Sequence, residues 1–504
     1  MLVLTVLANA CDRSAESAPQ TAALLTGEAT IAFASHFGGS GNEAIRDVAV
    51  DAEGNVYLAG GTTSPDFPIT PGVLGPRFNN PGAPYQDAFI VKLSPDGRVI
   101  WSTYLGGPFY DRVYGIEVDA QGYVYVAGRG GPGFPVTPGA FQTQFGGGSD
   151  HVLYGEQDGF ICKLTPDGTA IVFCSYFGDR DGAPIRDLAL DPNGDIYVVA
   201  STDFGELPAA WFANAFQKSL RGGRDLVIAK ISNDGTRVVW ATYLGGSDAE
   251  YNTTSIRVDG QGHSYVMTTT RSPDAPVTAG FDQTLGGESD IYVAKLAPDG
   301  ARLIWGTYYG GSQREYTETH ELAIDAQGHA IIAAMTTSSD LPVTAGAFQA
   351  TYGGRAESKR SGAGTNYAGD AFVAKISPNG AALVASSYLG GTGGDGAEGV
   401  SVDAAGNIYV SGGTYAKDLH GVASGPGGET DVMAAKLSPD LRQILHVVRL
   451  GGTAGDVARS NIVDAKGNFY VVGETKSANF PTARALQKDL RGENDGAIVK
   501  ITFH

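Results

Sequence analysis

The 504-residue chain lacks the short sequence motifs that mark many catalytic centres. Its eight histidines are scattered, with no H-E-x-x-H pair to hold a metal. There is no G-x-S-x-G nucleophile elbow and no phosphate-binding loop. The sequence by itself therefore identifies no catalytic residue and no cofactor-binding residue.

Basic residues are also scarce. The chain has 35 lysines and arginines against 54 aspartates and glutamates, a formal net charge of −19. Nucleic-acid binding needs a basic face, so this balance excludes a nucleic-acid partner. A negative field favours solubility and cationic partners.

Long hydrophobic runs are missing as well. The one apolar stretch, MLVLTVLANA before Cys11, is too short to span a bilayer. It resembles the end of a lipoprotein signal, with Ala8-Asn9-Ala10 before the cysteine, although Ala8 stands where leucine is usual and basic residues are absent. If translation naturally starts further upstream, the added residues would supply the missing basic segment. We expect residues 1–11 to be a signal remnant with lipidation at Cys11, and 12–28 to be a flexible tether.

This interpretation predicts an exported protein, either a periplasmic or cell-surface lipoprotein or a secreted one. Membrane contact would then occur only through a lipid on Cys11. Export without lipid and an untargeted chain remain as alternatives.

What the chain does contain is a repeat. Asp-x-x-Gly recurs at a mean step of about 69 residues, a period that indicates a modular architecture. The seven copies begin at Asp51, Asp119, Asp191, Asp259, Asp325, Asp403 and Asp464. Each lies between two short apolar runs, as in DVAVD (47–51) and NVYLAG (55–60), which predicts a β-hairpin around a tight turn.

A second hairpin follows in every copy. Its marker is Asp-x₄-Lys, as in Asp87 and Lys92, and most copies end in an aromatic residue and two glycines, as in WSTYLGG (101–107). Four-stranded antiparallel units repeated radially are β-propeller blades. We interpret the repeated Asp as a group that stabilises the blade, and Trp101, Trp240 and Trp305 as blade packing.

The two ends of the repeat complete each other. IAFASHFGG (31–39) matches the fourth strand of a blade, and the C-terminal unit stops after its third strand. The predicted fold is therefore all-β: a single seven-bladed β-propeller over residues 29–504, with four antiparallel strands per blade. The N-terminal strand closes the last blade, which removes an open edge.

The strings VDAEGNVYLAGGTTSPDFPITPG (50–72), DAFIVKLSPDG (87–97) and STYLGG (102–107) carry a resemblance. They are similar to the seven-bladed β-propeller repeat (SBBP repeat) family of bacterial envelope and secreted proteins, over roughly residues 30–504. Asp418-Leu419-His420 in blade six and Phe177-Gly178-Asp179 in blade three depart from the pattern. The resemblance implies the fold and almost no biochemistry.

Binding is expected on the face that carries the d–a crossings and the b–c loops, where loop length varies most. The unrepeated inserts are 75–86, 142–157 and 349–369. The first two lie in neighbouring blades and are expected to form one patch, while the third forms a basic spot. The candidate ligand residues are Phe78, Tyr85, Phe145, His151, Tyr154, Arg355, Lys359 and Arg360. Plain surface loops are the alternative.

A carboxylate follows the glycine pair in most crossings: Glu43, Asp111, Glu250, Glu315, Asp395 and Asp456. A ring of carboxylates would suit a hard cation such as Ca²⁺. The candidates for such a site are Asp179, Asp181, Asp248 and Glu250. The alternative is that each carboxylate accepts backbone N–H groups in its own crossing.

Cys162 and Cys174 fall on the third and fourth strands of blade two. Other blades have small residues at the second position, so we expect two free core thiols, with a disulfide as the alternative.

Together these features predict a monomeric, non-enzymatic scaffold that binds an envelope protein or glycan. A hydrolase or lyase acting on an extracellular polymer, or a passive spacer, remains as an alternative. Polar residues from several blades converging at the channel mouth would favour an enzyme.

Overall fold

The computed structural model describes residues 24–25, 29–80, 85–148, 154–180, 182–203, 205–354, 359–360, 366–422 and 428–503. Within them, each of the seven repeats forms one antiparallel sheet. The first strands (a) of neighbouring sheets contact one another, and blade seven contacts blade one, so the sheets enclose a central channel. No helix in the described part of the chain has the length and apolar character needed to cross a membrane. The predicted seven-bladed propeller is confirmed.

The strands of each blade are named a to d from the channel outward. Strands a are Glu43–Val50, Arg112–Val118, Asp187–Leu190, Glu250–Val258, Glu315–Tyr316 with Leu322–Ile324, Asp395–Val402 and Asp456–Val463. Strands b are Val56–Thr62, Val124–Gly130, Ile196–Thr202, Ser264–Thr270, Ala330–Thr336, Ile408–Thr414 and Phe469–Thr475.

Strands c are Asp87–Leu93, Asp158–Leu164, Asp225–Ile231, Asp290–Leu296, Asp370–Ile376, Asp431–Leu437 and Asp495–Phe503. Strands d are Val99–Leu105, Ile171–Phe177, Val238–Leu244, Leu303–Tyr309, Leu383–Leu389, Ile444–Leu450 and Ala29–Phe37. Three further kinds of element lie outside this pattern. A short strand, Leu24–Leu25, pairs with the edge of blade six, and Lys359–Arg360 pairs with Asn366–Tyr367. Two 3₁₀ turns span Ala209–Phe212 and Leu419–Gly421.

The N-terminal strand closes the ring. Ala29–Phe37 pairs antiparallel with Asp495–Phe503, from Ala29 opposite Phe503 to Phe37 opposite Gly496. Ala34 and Ala483 exchange two further backbone hydrogen bonds of 2.8 and 2.9 Å, which anchor this strand to the b–c loop of the same blade. Blade seven thus contains both ends of the propeller, as the matching strand patterns predict.

The tryptophans join neighbouring blades. The indole N–H groups of Trp101, Trp240 and Trp305 donate to the carbonyl oxygens of Pro166, Pro298 and Pro378, which lie in the c–d turn of the next blade. Gly380 in one such turn has φ +73°, and a Cβ there would lie 2.5 Å from the ring of Trp305. Glycine is therefore required both for the turn and for the close approach of the ring.

The two core cysteines are bonded to each other. Cys174 lies directly opposite Cys162 in the strand pair, with their Cα atoms 4.1 Å apart, and a disulfide joins them. The expectation of two free thiols is therefore wrong, because register places the two side chains face to face on neighbouring strands.

Candidate ligand site in the central channel

The carboxylates of the d–a crossings are buried, and each of them accepts a hydrogen bond within its own crossing. Each accepts a hydrogen bond from the backbone N–H of the second glycine in its own crossing, at 2.6 to 3.3 Å. The same bond recurs in six crossings, at Glu43, Asp111, Glu250, Glu315, Asp395 and Asp456. These carboxylates stabilise the crossings between blades. Among the described residues they do not form a shared ion site.

Each blade junction also brings two buried carboxyl groups together. The Asp that begins strand c approaches the crossing carboxylate of the next blade, as Asp225 does with Glu250. Burial, and to a smaller extent the neighbouring Asp225, raises the pKa of Glu250 to about 7. Burial likewise raises the pKa values of Glu43 and Glu315 to about 7. The junctions therefore favour protonated carboxyl groups near neutral pH.

The three calcium candidates that the structure describes each have a hydrogen-bond partner of their own. Asp179 accepts a 2.9 Å hydrogen bond from the backbone N–H of Glu206, and Asp248 is exposed and accepts one from Ala249. Glu250 is engaged in its own crossing, and Asp181 lies outside the described residues.

The inserts of blades one and two do meet. A Cβ added at Gly155 would lie 3.6 Å from the hydroxyl of Tyr85. Tyr85 packs against Phe109 with ring centroids 6.0 Å apart, and Tyr154 packs against Tyr110 at 4.9 Å. We call Tyr85, Phe109, Tyr110 and Tyr154 the aromatic rim. It contains two of the candidate ligand residues.

The other candidates have different positions. Phe78 packs on Tyr104 at 5.8 Å and Phe145 on Tyr176 at 5.5 Å, so both rings are directed into blade interiors. His151 and Arg355 lie outside the described residues. Lys359 and Arg360 form a two-residue strand, and only their backbone is described.

Four arginines converge beside the rim, around the ring of Tyr114 on strand a of blade two. The guanidinium carbons lie 4.4 to 5.8 Å from the ring centroid. We call Arg46, Arg112, Arg129 and Arg186 the arginine cluster; they come from blades one, two and three. Arg129 also lies 4.1 Å from the ring centroid of Tyr154 and donates a 3.1 Å hydrogen bond to the Tyr110 hydroxyl. The cluster and the rim are therefore continuous.

The cluster has an excess of positive charge. The Nε atom of each of the four arginines is shielded from solvent and has no hydrogen-bond partner among the described residues. None of the ion pairs found in the described part of the chain includes any of them, although Arg459 nearby bonds both Glu398 at 2.9 Å and Glu474 at 2.5 Å. Buried donors without partners are rare and costly in native proteins.

The charge excess also acts on Tyr114. Burial opposes ionisation of its hydroxyl, but the guanidinium groups of Arg129, Arg186, Arg112 and Arg46 outweigh burial and hold its pKa well below 10. Burial lowers the pKa of Arg46, and the adjacent Arg459 and Arg112 lower it further. Both shifts indicate a site with a local preference for negative charge.

A bulge of blade five crosses the channel below the cluster. Its strand a is interrupted at 317–321, and the hydroxyl of Thr317 donates a 2.8 Å bond to the carbonyl oxygen of Thr253 in blade four. His320 has φ +69°, and its Nε2 lies 2.8 Å from the carbonyl oxygen of Tyr114 in blade two. The backbone of Val400 in blade six donates to the carbonyl oxygen of His320.

Sequence reasoning missed the channel residues, although one signal would have revealed them. The residue five positions before each a–b turn Asp is polar or aromatic in all seven blades, on strands that are otherwise largely apolar. The seven residues are Arg46, Tyr114, Arg186, Thr254, His320, Glu398 and Arg459. Their variation between blades hides them from a search for repeated residues.

Comparison with known proteins agrees with this architecture. Residues 100–134 match the sequence model of the SBBP β-propeller repeat. The chain is a seven-bladed β-propeller in which one stretch matches the SBBP β-propeller repeat. None of the curated proteins matches it.

Several solved structures are similar to this chain over most of its length. A protein of unknown function from Dyadobacter fermentans is 11% identical, with a TM-score of 0.43, and the match covers 95% of this chain and 100% of that one. The WD40 β-propeller domain of Doa1 is 8% identical, with a TM-score of 0.45 and coverages of 94% and 97%. The polysaccharide lyase Uly1 is 7% identical, with a TM-score of 0.46 and coverages of 95% and 99%. At these identities and TM-scores the likeness carries no conclusion about function.

Proposed function

We propose that this propeller is a binding module for an acidic glycan. The glycan binds at the arginine cluster, on the face that carries the d–a crossings and the b–c loops. The observation that carries the proposal is the set of four arginines with buried, unpartnered Nε–H groups in a protein of net charge −19. Guanidinium groups match the planar, bidentate geometry of carboxylates and bind other oxyanions well. A carboxylate or sulfate group would supply both the missing charge and the missing acceptors.

The aromatic rim favours a glycan over an acidic peptide as the ligand. Tyr and Phe rings present flat apolar faces, and the Tyr hydroxyl adds a polar group, which together suit the mixed surface of a sugar ring. Phe109 is 38% exposed at the rim, beside Tyr85. A sugar that stacks there would place its acidic substituent toward Arg129.

The test is titration calorimetry with hexagalacturonate as an acidic probe and dextran as a neutral one. Arg129→Gln and Arg186→Gln should each weaken hexagalacturonate binding by about tenfold or more, since a hydrogen bond to a charged group contributes about 1.5–3 kcal/mol. Arg98→Gln is the matched control, because that side chain is 84% exposed in a c–d turn. Equal losses in all three variants, or binding of an acidic peptide but not the glycan, would refute the proposal.

A second candidate is a lyase or hydrolase acting on an acidic extracellular polymer. The convergence of Tyr114, His320 and the arginine cluster within the channel favours it. The same titration samples, analysed by mass spectrometry for shortened oligosaccharide, separate the two: intact probe supports a binding module, and cleaved probe supports the enzyme.

Export with a lipid on Cys11 remains part of the proposal, and Cys11 lies outside the described residues. Wild-type protein expressed in its source cells should fractionate with membranes, and Cys11→Ala should release it. Identical fractionation of both would argue against the lipid.

A further inference from the structure

The centre of the channel holds three buried groups that face one another across blades. His320 Nδ1 lies 3.6 Å from Asp47 Oδ1 and 3.5 Å from Asp187 Oδ1. All three side chains are at least nine-tenths shielded from solvent. The Nδ1 atom is buried and has no hydrogen-bond partner among the described residues. Among the described residues it is the one group of three or more potential metal ligands whose ligand atoms lie within 4.8 Å of one another.

The histidine ring has a fixed orientation. Its Nε2 lies 2.8 Å from the carbonyl oxygen of Tyr114, an atom that can only accept a hydrogen bond, so Nε2 carries a proton and donates. In the neutral ring, the lone pair of Nδ1 then points between the two carboxylates. Metal-binding histidines commonly donate their second ring N–H to a backbone carbonyl in this way.

The distances from His320 Nδ1 to the two carboxylate oxygens are longer than direct hydrogen bonds and match the spacing of ligands around a metal ion. Charge-assisted N–H···O bonds are about 2.7–2.9 Å long, shorter than the separations at Asp47 and Asp187. Two ligands about 2.1 Å from a tetrahedral metal lie about 3.4 Å apart. We propose that His320 Nδ1, Asp47 Oδ1 and Asp187 Oδ1 bind a divalent transition metal ion, with zinc the best match.

The ligand set does not suit calcium, the ion that the sequence analysis considers for the crossing carboxylates. Calcium takes six to eight oxygen ligands, whereas one imidazole nitrogen with two carboxylates suits zinc. Three protein ligands leave a fourth position for water or another group. The two carboxylates balance the charge of the ion.

Surrounding groups hold both carboxylates in place. Asp47 Oδ2 accepts a 2.8 Å bond from the backbone N–H of Ile116, and its Oδ1 accepts a 2.7 Å bond from Ser460. Asp187 Oδ2 accepts a 3.0 Å bond from the backbone N–H of Ile256 and a 2.7 Å bond from Arg257. Such outer contacts orient metal ligands and tune their affinity.

The backbone of blade five is distorted at the same point. His320 is one of five described non-glycine residues with positive φ, and it lies in the bulge that interrupts strand a. Strained backbone of this kind persists where the surrounding structure requires it. The distortion carries the imidazole from blade five to carboxylates on blades one and three, so the ion would tie three non-adjacent blades together.

The test uses the full chain, stripped with EDTA, reloaded with Zn²⁺ and desalted, with metal measured by mass spectrometry. Wild type should retain about one zinc ion per chain and melt at a higher temperature with zinc than with EDTA. His320→Gln should lose both effects. His329→Gln is the matched control, because it lies in the same blade beside Asp325 and should keep both.

Co²⁺ provides a second readout on wild type alone, which does not depend on the folding of a variant. Four-coordinate Co²⁺ gives visible absorption bands, and excess zinc should abolish them. Wild type that retains no zinc and melts identically with zinc and EDTA would overturn the proposal. So would a folded His320→Gln variant that still retains zinc.

Discussion

The buried carboxyl pairs at the blade junctions make the stability of the propeller depend on pH. Glu250 illustrates the effect, because its side chain is fully buried and its pKa rises from 4.5 to about 7 in the fold. Between these two values, the folded chain holds a proton that the unfolded chain has released. The contribution of Glu250 to the free energy of unfolding is therefore fully present below pH 4.5, and it is lost as the pH rises through 7.

The magnitude follows from the two pKa values. A shift from 4.5 to about 7 corresponds to about 3 kcal/mol at full linkage. Integrating the proton linkage between pH 8 and pH 5.5 gives about 2 kcal/mol for this one group. Glu43 and Glu315 act in the same direction, so unfolding in urea should require more denaturant at pH 5.5 than at pH 8.

Glu250→Gln isolates the effect of one junction. Its Oε1 could still accept the hydroxyl of Thr270, and its amide could donate to Asp225 as the protonated acid does. The variant should show a pH dependence of unfolding about 2 kcal/mol weaker than wild type between pH 8 and 5.5. Glu288→Gln, an exposed residue of the same blade, should leave the dependence unchanged. A wild type that is more stable at pH 8, or a Glu250→Gln profile identical to wild type, would refute this reasoning.

Two further predictions concern closure and the disulfide. Deleting residues 1–37 removes strand d of blade seven and exposes the edge of Asp495–Phe503. The shortened protein should therefore melt at a lower temperature and associate on size-exclusion chromatography. An unchanged melting temperature in a monomer would contradict the closure. Thiol titration of unfolded residues 29–504 should detect no free thiol, because Cys162 and Cys174 are bonded. Reduction of this disulfide should lower the free energy of unfolding by about 3 kcal/mol. Two free thiols before reduction would show that the two cysteines are not bonded.

The fold was predictable because its signals are local and repeated. The Asp-x-x-Gly turn and the Asp-x₄-Lys strand recur in every blade. The closing strand was predictable because 31–39 has the pattern of strand d without a preceding blade. The disulfide was missed because composition at one position was weighed without the register that sets Cys174 opposite Cys162.

The channel site was not predictable by the same means. Its residues lie within regular strands, and a search for repeated residues passes over positions that differ between blades. Arg46, Tyr114 and His320 occupy one register position in three blades, and their proximity arises only when the ring closes. Loop length was a useful but coarse signal, since it pointed to Tyr85 and Tyr154 and also to Phe78, whose ring packs on Tyr104.

Anomalous diffraction from crystals soaked in selenate tests the central claim most directly, because it locates an oxyanion without assuming the natural ligand. We predict that the strongest selenium peak lies within hydrogen-bonding distance of the arginine cluster, beside Tyr114. Peaks confined to the outer surface, with no density at the cluster in equally resolved data, would contradict an anion site in the channel.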